Sequence, residues 1–348
     1  MVDTMALPLP FGRASRTPRP SAQHPAAGLP ADDEVLLDAP DDRLGPALVA
    51  AGQGSHRTAA DLLAATRAHR RWEDRDRYVL RLAAFARSRP EWVQDWYAAA
   101  PDDPDVLLLR AQLAVDHAWR SPARAELLRG VSPLITAAAR ADDRDPVPWR
   151  LALDHARGSR AGHTYFGELW EAALRRAPLH YGCHVAALRY LASSWHGSHR
   201  ECLDFADRAA QDSPADSLVQ ALPARAALAY LHDGCGPGVP PERLHAAADR
   251  AVALSARFPA ADPWPAAVRN KLTYVLVELG RWDDALDQLR LIGPYATSYP
   301  WSRFAEDPLS RFLEVRHQVR RHVGSVTAPE RSGHPPGGRA GRAGRRDH

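Results

Sequence analysis

Lysine is almost missing from this chain: of its 45 lysines and arginines, Lys271 alone is a lysine. Nearly all of the positive charge is therefore guanidinium, which keeps its proton throughout the biological pH range. A GC-rich coding bias accounts for most of that preference. Cysteine is scarce as well. Cys183, Cys202 and Cys235 form an odd set without C-x-x-C spacing, which argues against a disulfide framework and for a reducing cytoplasm. No run approaches the roughly 18 apolar residues that a membrane-spanning helix requires. The opening MVDTMALPLPF is broken by Pro8 and Pro10 and lacks the apolar core of a secretory signal. Catalytic signatures are absent too: there is no G-x-x-x-x-G-K, no H-E-x-x-H and no G-x-S-x-G. Gly234, Gly236 and Gly238 make a glycine-rich loop, but no strand pattern precedes it, so a dinucleotide fingerprint is not expected. No cofactor is implied.

What is present is helical. The 348 residues include 30 prolines, yet long stretches are rich in alanine, leucine and arginine, a pairing that suits many short helices with proline between them. Residues 1–40 hold seven prolines and little apolar periodicity, and are expected to be a disordered leader. Residues 324–348 are rich in glycine, proline and arginine and are expected to be a disordered basic tail. Such a tail adheres weakly to anionic surfaces without specific nucleic-acid recognition. Between them, residues 41–323 are close to electrically neutral and carry the fold.

Helix starts are marked in that region. Asp103-Pro104, Ser121-Pro122, Asp145-Pro146 and Asp307-Pro308 pair an N-cap with a proline suited to the first turn. Ser198 and Glu201 are spaced as a capping box, and Ser213 with Asp216 similarly. These signals predict helix pairs beginning near residues 56, 104, 146, 181, 216 and 264, and a last helix from Pro308 to about Val323. The clearest pair runs from Arg269 to Pro294. Leu272, Val275, Leu276 and Leu279 recur at helical spacing, Gly280 interrupts, and Ala285, Leu286, Leu289 and Ile292 resume the pattern. Arg71-Trp72-Glu73-Asp74 echoes Arg281-Trp282-Asp283-Asp284, 210 residues away, although Arg75 stands where Ala285 stands in the later unit.

Gly280-x-Trp282-x-x-Ala285-x-x-x-Leu289-x-x-Ile292 resembles the second half of a tetratricopeptide repeat. A second likeness lies at Tyr190-Leu191, Trp195-His196-Gly197-Ser198 and Phe205-Ala206, which look like the centre of a bacterial domain-of-unknown-function family of tetratricopeptide-like proteins. It covers roughly residues 90–225, and His196 departs from the family pattern. Both resemblances imply an all-α superhelix, a tetratricopeptide-like solenoid of about six helix pairs closed by a C-terminal capping helix. They imply no reaction.

The function expected of such a fold is a non-enzymatic scaffold with a groove for a protein or peptide. Arg110, Arg150, His184 and Arg189 lie on first helices amid apolar neighbours and are the candidate groove residues, favouring an acidic ligand. Trp195 is expected as a buried wedge between the helices on either side of it, with Gly197 left-handed; an exposed Trp195 would instead be a recognition residue. The rival reading is a metalloprotein or enzyme built between His180 and Cys202, with Cys183, His184, His199 and Cys202 as zinc ligands. Against it, Cys202 occupies a position where the repeat asks for a small packed residue.

Overall fold

The proline-marked starts act through their preceding aspartates. Asp103 Oδ1 accepts from the Asp105 amide at 2.8 Å, Asp145 Oδ1 from Val147 at 2.8 Å and Asp307 Oδ1 from Leu309 at 3.0 Å. Each satisfies an amide that the helix itself leaves without a partner. Ser198 accepts from the Glu201 amide at 3.2 Å, as its spacing predicts. Ser213 and Asp216 start nothing; Ser217 caps a short 3-10 turn over Leu218–Ala221 instead.

The computed structural model describes residues 28–233 and 238–326, so Cys235 and most of the two expected tails lie outside the described residues. The helices are α1 (Leu44–Gly52), α2 (Arg57–Ala68), α3 (Trp72–Ala86), α4 (Glu91–Ala99), α5 (Pro104–Arg120), α6 (Arg124–Ala141), α7 (Val147–Gly158) and α8 (His163–Arg176). They continue as α9 (Tyr181–Tyr190), α10 (His199–Gln211), α11 (Leu222–Asp233), α12 (Pro241–Ser255), α13 (Ala266–Glu278), α14 (Trp282–Ile292), α15 (Ser298–Trp301) and α16 (Pro308–Val326). Two-residue strands, β1 (Leu36–Leu37) and β2 (Tyr295–Ala296), complete the described elements. The protein is all-α.

Helices α3, α5, α7, α9, α11 and α13 form a row in which each packs on the next. Their partners α6, α8, α10, α12 and α14 pack against them in hairpins. In the hairpin α13–α14 the predicted Leu272, Val275 and Leu276 are buried in one core with Ala285, Leu286, Leu289 and Ile292, Leu279 is partly buried, and α13 is buried all round from Arg269 to Leu276. Gly280 turns the chain at φ +69°, a left-handed conformation that a side chain disfavours.

The echo at Arg71 is structural as well as sequential. Arg71 (φ −82°, ψ 70°) and Arg281 (φ −86°, ψ 68°) precede their helices in the same conformation, each after a left-handed residue, Arg70 and Gly280. The roles differ. Helix α14 is the second of its pair, whereas α3 stands in the row of first helices beside α5. Pairing α2 with α3 from the sequence therefore put α3 in the wrong layer. Arg75 explains why: it is completely buried, bonded to Asp145 at 2.6 Å and to Asp105 at 2.7 Å. A position that looked like a degenerate small residue is an ion-pair clamp tying α3 to the starts of α5 and α7.

The first described residues meet the last ones. Strand β1 pairs in parallel with β2, and the Leu36 and Asp38 amides donate to Pro294 O at 2.7 Å and Ala296 O at 2.8 Å. Trp264 Nε1, just before α13, donates to Asp74 Oδ1 of α3 at 2.7 Å. Helix α16 buries Phe312, Val315 and Val319 against α14 and α15, and its Arg316 reaches back to Pro30 O and to Asp32. An expected leader extending through residue 40 needs correcting, because Val35 is part of the largest apolar core cluster. The N-terminal segment packs on this last helix through Pro30 and Asp32.

Candidate functional site

The helix row leaves a concave cleft that all six of its helices line. Two cavities share its waist. The inner one, about 470 Å³, has walls from Glu73 and Asp76 of α3, Gln112 and Asp116 of α5, Arg150 and Asp154 of α7, Tyr181 and Arg189 of α9, Arg225 of α11 and Lys271 of α13. The outer one, about 770 Å³, adds Trp195, His232, Tyr299 and Arg303. Arg157, Arg189 and Arg225 belong to both.

Charge in the cleft divides into two groups. On the α3–α5–α7 side every guanidinium has partners. Arg150 is 4% exposed, donates to Asp76 Oδ1 at 2.7 and 3.0 Å and to Gln112 Oε1 at 2.6 Å, and lies 3.6 Å from Asp154. Asp154 is also 3.3 Å from Arg157. Burial alone would raise the Asp154 pKa, but Arg189, Arg150 and Arg157 together hold it below the ordinary carboxylate value. Glu73 accepts from the Tyr181 amide at 2.7 Å, and burial pushes its carboxyl up.

On the α9–α11–α13 side ion pairs are few. Among the described residues Arg189 pairs with Asp154 alone, at 3.8 Å, and Asp154 is already engaged by Arg150 and Arg157. Although its side chain keeps 46% of its surface open to water, the cleft walls surround it. That enclosure, with Arg225 beside it, lowers its pKa to about 10. Arg225 and Lys271 form no ion pair with any described carboxylate, and both face the ring of Tyr299, at 5.5 and 5.7 Å from its centroid. Lys271 is 9% exposed and donates to Ala267 O at 2.7 Å. Burial first, then Arg225 and Arg189, drive its pKa well below the usual lysine value. Tyr181 Oη is sealed from solvent beside Arg225, without a hydrogen bond of good geometry.

The expected groove residues fare differently. Arg189 lines the cleft. Arg150 lines it too, but its guanidinium is committed to ion pairs. Arg110 lies elsewhere: it stacks 3.4 Å above the Tyr97 ring in a depression with Val93 and Leu134. His184 is buried, bonded through Nε2 to Pro178 O at 2.8 Å and set edge-on to Trp170, and burial lowers its pKa.

No family model, curated protein or solved structure matches this chain. The site therefore rests on its own geometry.

Trp195 is half-buried at the outer cavity, not wedged between α9 and α10. Its ring meets the edge of Trp119 on α5 at 5.6 Å, and Arg124 and Arg157 lie over both rings. Gly197 is not left-handed. It is glycine because of close approach: a Cβ there would come within 2.4 Å of Leu191 O.

The four residues considered as zinc ligands are not brought together. Cys183 Sγ contacts His180 Nδ1 at 3.2 Å, while Cys202 Sγ donates to Leu191 O at 3.2 Å, its thiol pushed up to about 12 by burial. His199 Nε2 lies 3.4 Å from Ser193 Oγ. Among the described residues no three His, Cys, Asp or Glu side chains are grouped to hold a metal ion. No described helix is long and apolar enough to cross a membrane.

Sequence reasoning missed Arg225 and Lys271. Arg225 sits on the first helix of a pair amid alanines, the same pattern that singled out Arg110, Arg150 and Arg189. Lys271 announced itself only by being the one lysine.

Proposed function

We propose that the chain is a tetratricopeptide-like helical-repeat scaffold whose cleft binds an anionic group, the carboxylate of an acidic peptide or protein segment. One observation carries the reading. Arg189, Arg225 and Lys271 converge on the cleft with one ion pair among them in the described residues, Arg189 to Asp154, and that carboxylate is shared with two further arginines. Like charges held together out of bulk water repel, and an anion entering between them relieves the repulsion while making charge-assisted hydrogen bonds. The apolar wall from Leu80, Val115, Val185 and Val268 suits the aliphatic part of such a ligand. No catalytic step is needed for this role.

Calorimetric titration with succinate and with a triglutamate peptide tests it. Wild type binds, and Arg225→Ala weakens binding about tenfold or more, since a hydrogen bond to a charged group contributes about 1.5–3 kcal/mol. Equal affinity in the variant, or no heat with either ligand, would count against an anion site here.

A further inference from the structure

We infer that Lys271 is a nucleophilic amine that captures a carbonyl-bearing anion, a 2-oxo acid or an aldehyde-acid, as an imine within the cleft. This rests on the anion-binding reading and deepens it. If the site required only a permanent cation, a guanidinium would serve better, because its planar fork grips a carboxylate through two hydrogen bonds. Apart from histidine, every other basic side chain in the chain is arginine. Lys271, whose proton burial and the neighbouring arginines make easier to lose, stands in the wall of the cleft, 9% exposed, with no ion-pair partner among the described residues. Its hydrogen bond to Ala267 O needs one N–H, which a neutral amine can also donate while keeping its lone pair. Arg225 faces the same Tyr299 ring, so a ligand whose carboxylate rests on Arg225 brings its carbonyl carbon toward the lysine.

The step balances without an oxidant or reductant. The Lys271 nitrogen adds to the carbonyl carbon while a proton passes from nitrogen to the carbonyl oxygen. The resulting carbinolamine then loses water, leaving a carbon–nitrogen double bond. The cations that lower the lysine's pKa also disfavour a protonated imine, and the ligand's own carboxylate offsets them. That requirement excludes neutral aldehydes as the preferred ligand.

The chain has only two kinds of primary amine, its α-amino group and Lys271, so the test reads out cleanly. The full-length protein is incubated at neutral pH with glyoxylate and sodium cyanoborohydride, and carboxymethylation is mapped by peptide mass spectrometry. Lys271 should be modified faster than the α-amino group, succinate should slow it, and Lys271→Arg should leave only the α-amino group labelled. Arg225→Ala should reduce labelling by glyoxylate several-fold more than labelling by formaldehyde, which separates a positioned anion from mere exposure. An unlabelled Lys271 in a protein that still binds succinate overturns the imine and leaves the anion site standing. Failure of both labelling and succinate binding overturns both. Labelling that is indifferent to succinate and to Arg225→Ala overturns the positioned capture.

Discussion

Two arginine-rich clusters lie in one row of helices, and they are built on opposite principles. Around α3, α5 and α7, Arg75 and Arg150 are out of water, and each touches two aspartates. Those aspartates have a second duty: Asp145 caps α7, and Asp105 stands in the first turn of α5. Around α9, α11 and α13, Arg189 has one distant carboxylate, and Arg225 and Lys271 have no ion pair among the described residues. A folded chain tolerates enclosed charge when it is paired and hydrogen-bonded. The first cluster meets that condition and locks neighbouring hairpins in register. The second does not, and its missing counter-charge is what an anionic ligand would supply.

Breaking the paired cluster should have the largest effect. Arg75→Ala leaves the buried Asp145 without its ion-pair partner and Asp105 with Arg67 alone, and losing one partner of a buried ion pair costs about 3–5 kcal/mol. Urea denaturation should show a lower midpoint with the slope unchanged. A loss under about 1 kcal/mol would mean that the clamp is not what holds α3 to α5 and α7. Arg150→Ala belongs to the same class, so a double replacement of Arg150 and Arg189 would confuse instability with lost binding, and the two must be separated.

Trp195→Ala should have a smaller effect. Its ring is half-buried and packs on Trp119 from one side, so the loss should be roughly 1–2 kcal/mol, below the 3–5 kcal/mol of a fully buried large aromatic. Denaturation of the variant checks this. A loss as large as that of Arg75→Ala would make Trp195 a core wedge after all.

Much of the fold was legible because the signals are local. Asp103, Asp145, Ser198 and Asp307 cap the helices their spacing predicts, and of the residues the α13–α14 periodicity selects all but the partly buried Leu279 are in the core. What escaped depends on residues far apart in sequence. Nothing around Leu36 announces that it will pair with Tyr295, and nothing around Asp74 points to Trp264. The site was half legible for the same reason. Arg150 and Arg189 look alike in sequence, each on a first helix among apolar neighbours. They part only because Asp76, 74 residues before Arg150, reaches one guanidinium and not the other. Gly197 shows a subtler failure, since a glycine near a helix end suggests a left-handed turn when what demanded it was a carbonyl too close for any Cβ.

Replacing Arg225 and Lys271 together with methionine tests the contrast most directly. Unpaired, mutually repelling cations reduce stability, so the double variant should melt higher than wild type at neutral pH in the absence of ligand. The sign follows from the lysine. Its folded pKa lies below its unfolded value of about 10.4, so the unfolded chain binds the extra proton and wild-type stability rises with pH between the two values. The gap between variant and wild type should therefore narrow as pH climbs toward about 10.4. A double variant that melts lower than wild type at neutral pH, with a gap that does not change with pH, would show these cations to be paired and structural like Arg75, and would contradict the account.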